Sequence, residues 1–230
     1  LYAQWLERER GLHFPSYQAM WKWSVTDLDA FWQSIWDYFD IQSPTPHTAV
    51  LARNAMPGAV WFPGAQVSYV QQVFRHVQPA QAAGFPAVIG SNEKGQRLEL
   101  SWPELRRQVA AMALHLQAQG VGQGDRVAAY LPNIPQTIVA FLAVVSLGAI
   151  WSVCAPDMGT NAVLDRFRQI TPKALIACDG VTYGGRDHPR TAVVEELRAA
   201  LPSVEHLVLL RNLGGQPAVA HSADFDEVVL

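Results

Sequence analysis

Between Asp125 and Leu210, four short apolar runs alternate with three segments of helical periodicity. Strands that lie parallel in one sheet need a crossover of a dozen or more residues between them, usually a helix, so this order predicts an α/β fold built on a largely parallel sheet flanked by helices. The expected strands are Arg126 to Leu131, Ile150 to Cys154, Ala174 to Cys178 and His206 to Leu210. Between them run helices opened by Asn133 with Pro135 and closed by Gly148, then Asn161 to Ile170, then Ala192 to Ala200. Sheets of this kind bind ligands beyond the carboxyl ends of their strands, so chemistry is sought in the loops there.

A chain of 230 residues, half of them hydrophobic, buries enough surface for one sizeable core without staples. Basic and acidic side chains number 17 and 20, and the formal net charge of −3 is spread without blocks of one sign. That balance gives no electrostatic footprint for nucleic acid or for an anionic membrane surface. No apolar stretch approaches the length needed to span a bilayer, and the first ten residues lack the apolar centre of a secretion signal. Cys154 and Cys178 each sit in an apolar run; buried free thiols in a reducing compartment account for them, with a disulfide the alternative, and a cytoplasmic location follows as the default.

Six of the eight tryptophans fall before residue 62. From Leu28 the apolar residues recur at Phe31, Trp32, Ile35, Trp36 and Phe39, the spacing of one helical face, and Ser24 or Thr26 is the expected cap of that helix. An aromatic stripe of this kind serves either as a docking face or as a ligand platform, docking being the commoner use. Ser43 to Gly64 carries four prolines and reads as an ordered connector without strand or helix. Residues 1–64 are therefore expected to form a helical segment with its connector, and 65–230 an α/β subdomain. The latter opens with a short helix from Val67 to His76 and a hairpin, Ala87 to Ile89 against Leu98 to Leu100, around the polar turn Gly90 to Gly95. Ser101 then caps a helix whose inner face is Leu105, Val109, Met112, Ala113 and Leu116, ending at Gly120.

Gly120-Val121-Gly122-Gln123-Gly124 has the look of a dinucleotide fingerprint, but it follows a helix and precedes a strand, the reverse of what pyrophosphate binding needs. It reads as a helix stop and tight turn. The seven histidines never fall at metal-ligand spacing, and no glycine-flanked serine nucleophile occurs, so no residue is assigned a catalytic or metal-binding role. Two loops at strand ends remain: Ala155 to Thr160, and Asp179 to Arg186. In the second, Gly184 and Gly185 admit close approach of a ligand to the backbone, and Arg186 is either a phosphate contact or an ordinary surface arginine.

Trp61-Phe62-Pro63-Gly64-Ala65 with Tyr69, the run Gly124 to Pro135, and Leu147 to Ser152 continuing to Pro156-Asp157 resemble the acetoacetyl-CoA synthetase family of acyl-adenylate-forming ligases. Trp21, Trp23, Ser24, Phe31 and Trp32 echo that family's aromatic N-terminal helix, and Leu164-Asp165-Arg166-Phe167 also fits, so the likeness runs over nearly the whole chain. Acetyl-CoA synthetases share the plan, but Trp61 to Ala65 and Trp151 favour the acetoacetyl family.

The resemblance implies a ligation in two steps: a carboxylate attacks ATP to give an acyl-adenylate, and the thiol of coenzyme A then displaces AMP. Acetoacetate is the implied acid, with acetate or another short carboxylate the alternative, and Mg²⁺ the implied metal. In the family the phosphate loop and the catalytic lysine lie further along than this chain runs, so the resemblance implies an incomplete subdomain that is inactive alone. It further implies that Tyr183, Gly184, Gly185 and Arg186 touch the phosphate-bearing end of coenzyme A. Tyr183 stands where acetyl-CoA synthetases usually place an arginine, and Val67 to Gln72 lacks the asparagine and glutamate the family tends to have there. A non-catalytic coenzyme A-binding or interaction module is the alternative of a different class. A sheet ending after its fourth strand would leave an edge open, so self-association is also expected.

Overall fold

A computed structural model describes residues 1–215 and 219–230. The chain divides into two compact units, Leu1–Gln72 and Val73–Leu230. The first holds helices α1 (Tyr2–Arg10), α2 (Tyr17–Thr26) and α3 (Leu28–Tyr38), then the short strands β1 (Leu51–Arg53) and β2 (Val60–Trp61), which pair antiparallel. Helix α4 (Tyr69–Phe74) straddles the division.

Two expectations for the first unit are corrected. Ser24 and Thr26 do not cap α3; they lie in the last turn of α2, where their hydroxyls donate to the carbonyls of Trp21 and Lys22, both at 2.8 Å. The cap is Asp27, whose Oδ1 accepts the Ala30 N–H at 3.2 Å. A carboxylate there both satisfies an orphan amide and complements the helix dipole. The proline-rich connector also contains the β1–β2 pair. Much of the aromatic stripe is satisfied within this unit: Phe31 packs edge-on to Trp23 with centroids 5.5 Å apart, Trp32 meets Trp61 at 5.6 Å, and Trp36 meets Phe62 at 4.8 Å.

The second unit continues with α5 (Val77–Ala82), the hairpin β3 (Val88–Ser91) and β4 (Arg97–Leu100), and α6 (Trp102–Ala118). Next come β5 (Arg126–Tyr130), α7 (Pro135–Ser146), β6 (Ile150–Cys154), α8 (Thr160–Ile170) and β7 (Ala174–Cys178). It closes with β8 (Gly180–Tyr183), β9 (Arg186–Pro189), α9 (Thr191–Ala200), β10 (His206–Leu210), β11 (Ala223–Asp224) and α10 (Phe225–Val228). The four expected parallel strands are all present, joined by a fifth, β11, in the order β11-β10-β7-β5-β6. The added strand β11 lies beside β10, and the other edge of the sheet is β6.

All five residues of β7 are buried, as a central strand covered on both faces requires. Ala128 and Tyr130, Leu175 and Ala177, and Leu207 and Leu209 face a layer formed by Val163, Leu164 and Phe167 of α8 and Val194 and Leu197 of α9. Side chains alternate along a strand, so Val127, Ala129, Ile176 and Val208 face the opposite layer, where α6 packs on α7. The chain moves outward from β5 to β6, then crosses back past β5 to β7, so β5 and β7 flank the point where strand order reverses. No helix among the described residues is long and apolar enough to cross a membrane.

Candidate functional site

The segment expected to be a loop after β7 is a hairpin, β8 paired antiparallel with β9 in the register Gly180↔Pro189 to Tyr183↔Arg186. Its polar sequence, Thr182-Tyr183-Gly184-Gly185-Arg186-Asp187-His188-Pro189, hides the strands from hydrophobic periodicity. Gly184 and Gly185 form the two-residue turn, with φ of 59° and 72°, the left-handed pair that tight hairpins demand. The paired glycines therefore have a structural duty that is independent of any ligand.

The base of the hairpin is fixed. Asp179 is buried; its N–H donates to the Leu210 carbonyl at 3.0 Å, its Oδ1 accepts the Leu213 N–H at 2.9 Å, and its carbonyl accepts the Arg190 N–H at 2.7 Å. Asn212 Nδ2 donates to the Gly180 carbonyl at 2.9 Å. A Cβ at Gly180 would lie 2.5 Å from the His188 carbonyl oxygen, so only glycine fits.

Cross-strand partners share a face, which puts Tyr183 and Arg186 together with Val181 and His188 on one side and Thr182 with Asp187 on the other. Tyr183 is 74% exposed. The Arg186 side chain is exposed and makes no hydrogen bond or ion pair among the described residues. On the opposite face the Thr182 hydroxyl donates to Asp187 Oδ1 at 2.6 Å, and Lys94 Nζ approaches the same oxygen at 3.2 Å. These two donors, Thr182 first, hold the Asp187 carboxyl below its ordinary range. The Gly185 N–H donates to Glu93 Oε2 at 3.1 Å. Glu93 and Lys94 carry no site signal in the sequence, because their partners are about ninety residues away and the turn reads as a plain hairpin loop.

The loop from Ala155 to Thr160 is pinned rather than open. The carbonyl of the buried Pro156 accepts from both the Tyr130 hydroxyl at 2.9 Å and Arg190 Nε at 2.7 Å, and burial raises the Tyr130 phenol above its usual range. A cleft of about 340 Å³ that the sequence did not suggest opens at the carboxyl end of β5, lined by Asn92, Asn133, Gln136 and Asn212 among others.

Cys154 and Cys178 are free and buried, and burial pushes the Cys178 thiol up to about 12, far from nucleophilic. The glycines from Gly120 to Gly124 form the stop and turn expected: Gly122 N–H donates to Asp125 Oδ2 at 2.9 Å, and the Gly120 carbonyl accepts from Lys173 Nζ at 2.7 Å. Among the described residues no group of three or more His, Cys, Asp or Glu is placed to hold a metal ion.

Comparison with known proteins adds the family. The family described as AMP-binding enzyme matches residues 75–227. The chain belongs to it. A second family, acetyl-coenzyme A synthetase N-terminus, matches residues 17–73 of this AMP-binding enzyme chain. An acetoacetyl-coenzyme A synthetase of Rhizobium meliloti (strain 1021) is 37% identical over 224 residues, covering 97% of this chain and 33% of the relative. A malonamoyl-CoA synthetase of Penicillium aethiopicum is 34% identical over 217 residues, 93% of this chain and 30% of the relative. The solved acetoacetyl-CoA synthetase of Streptomyces lividans superposes with a TM-score of 0.91 at 40% identity, over 99% of this chain and 35% of the other. The adenylate-forming ligase fold is thereby shown for this family member, and the chain spans about a third of the length of the relatives it matches.

Proposed function

We propose that this chain is the N-terminal portion of an acetoacetate–CoA ligase, and that within it the β8–β9 hairpin receives the phosphate-bearing end of coenzyme A. The observation that carries the site is Arg186, exposed at a hairpin tip and making no hydrogen bond or ion pair among the described residues. Guanidinium presents a fork of donors matched to phosphate oxygens. Gly184 and Gly185 keep the turn free of side chains, so a bulky nucleotide can lie against its backbone, and the exposed Tyr183 ring offers a face for the base. When bound, coenzyme A supplies the thiol that takes the acyl group from the adenylate.

Among the described residues no group of three or more His, Cys, Asp or Glu is placed to hold a metal ion, and the glycines from Gly120 to Gly124 serve as a structural turn. These 230 residues alone are proposed to be inactive, with the triphosphate machinery supplied by sequence that the longer relatives possess. A pyrophosphate-release assay with acetoacetate, ATP and Mg²⁺ tests this, and turnover by the 230 residues would contradict it. A second acid remains open, because a relative named for malonamate is nearly as similar as those named for acetoacetate. A screen of short carboxylates on the enzyme extended to the relatives' length separates the two.

Titration of coenzyme A against the wild type and Arg186→Ala tests the site. Loss of a hydrogen bond to a charged group is worth about 1.5 to 3 kcal/mol, so binding should weaken at least about tenfold. Dephospho-coenzyme A should bind both proteins alike.

A further inference from the structure

The tips of the two hairpins in the second unit meet, and we propose that Glu93 and Lys94 are positioning residues that latch the glycine turn in the shape from which Arg186 reaches a phosphate. This rests on the coenzyme A reading above. A turn of two adjacent glycines has the widest choice of backbone conformations any dipeptide allows. An isolated two-stranded hairpin is marginal in water, so the shape of this tip has to be imposed from outside the hairpin.

The structure shows two ties that impose it. A tight two-residue turn leaves the N–H of its second glycine without a partner in the strand pair, and here Glu93 Oε2 accepts that Gly185 N–H at 3.1 Å. One residue along, Lys94 Nζ lies 3.2 Å from Asp187 Oδ1, on the second pair of strand residues from the glycine turn. The turn that presents both residues is itself stiffened by Asn92. Its Oδ1 accepts the Lys94 N–H at 3.1 Å and the Gln96 N–H at 3.0 Å, and its Nδ2 donates to Gln96 Oε1 at 2.8 Å. The Lys94 tie engages the Thr182–Asp187 face, which leaves the Tyr183–Arg186 face open.

Charge separates positioning from direct contact. Glu93 and Asp187 are acids beside a site proposed for a polyanion, so removing either would tighten binding if Coulomb repulsion alone mattered. The latch requires the opposite sign. In Glu93→Ala and Asp187→Ala, coenzyme A should bind about three- to tenfold more weakly, the range of one lost hydrogen bond. NMR of the ligand-free Glu93→Ala protein should show the Gly185 amide exchanging faster with water than in the wild type. Tighter or unchanged coenzyme A binding in both variants would overturn the positioning role, and an unaltered Gly185 exchange rate would overturn the latch itself. Equal coenzyme A affinity of the wild type and Arg186→Ala would remove the coenzyme A reading instead. The exchange measurement is independent of that result, with acceleration still supporting the latch.

Discussion

Replacing Gly180 by alanine tests whether the base of the hairpin is as tightly built as its geometry says. The added Cβ would meet the His188 carbonyl oxygen and Leu213 Cδ1 at 2.5 Å each and Pro189 Cα at 3.0 Å. Two of these atoms are backbone of β9, which cannot swing aside as a side chain tip would, so strand β9 has to move away from β8. Overpacking of this kind costs about 1 to 3 kcal/mol. An opposing term exists: alanine restricts the unfolded chain and returns about 0.4 to 1 kcal/mol where its backbone conformation is allowed. The clash is the larger, leaving a net loss on the order of 0.5 to 2 kcal/mol. Urea unfolding should show a lower midpoint at unchanged slope, by roughly 0.3 to 1 M for a slope near 2 kcal/mol/M. Coenzyme A binding should weaken in the same variant, because β9 carries Arg186. A midpoint equal to the wild type's, with coenzyme A affinity intact, would refute the claim that glycine is required there.

Three further outcomes follow from the structure. Glu104, held down to about 2 by hydrogen bonds from Arg107 and Gln108, contributes stability that is present above its unfolded range near 4.5 and is lost as pH falls toward 2; in Arg107→Ala its carboxyl should titrate higher by NMR. Both cysteines should resist a thiol reagent in the native protein and react with it in denaturant; rapid native labelling would contradict their burial. Ile150 and Val153 of β6 are 51% and 45% exposed, and no strand among the described residues pairs with the outer side of β6. Concentration-dependent self-association is therefore expected by light scattering, and a clean monomer at high concentration would count against it.

The parallel sheet was legible because its strands are short apolar runs separated by helices with recognisable stops, as at Gly120 and Gly148. Their spatial order was not, since periodicity says nothing about which neighbour a strand chooses. Strand β11 is two residues long, too short for any pattern. Strands β8 and β9 escaped because their residues are polar and meet over a glycine turn, so that pairing rather than hydrophobic spacing defines them. Ser24 and Thr26 misled because a hydroxyl serves equally well at a helix start and in its last turn, while Asp27 held the decisive place. Helix α1 carries no long apolar stripe; it is held by packing of Tyr2 and Trp5 on Tyr38 and by the Tyr2–Ser34 hydrogen bond of 2.6 Å. At the candidate site, a glycine pair beside an arginine is visible in the residues and the family resemblance singles out Tyr183 to Arg186, whereas nothing in the sequence marks Glu93 and Lys94. Their contacts exist only once the β3–β4 and β8–β9 tips have been brought together.

Calorimetric titration of coenzyme A and dephospho-coenzyme A into the wild type and Arg186→Ala decides whether the hairpin tip is a phosphate site built around Arg186. Coenzyme A should bind the wild type at least about tenfold more tightly than the variant, with the advantage gone for the dephosphorylated ligand. Equal affinity of both proteins for coenzyme A would show that Arg186 holds no phosphate.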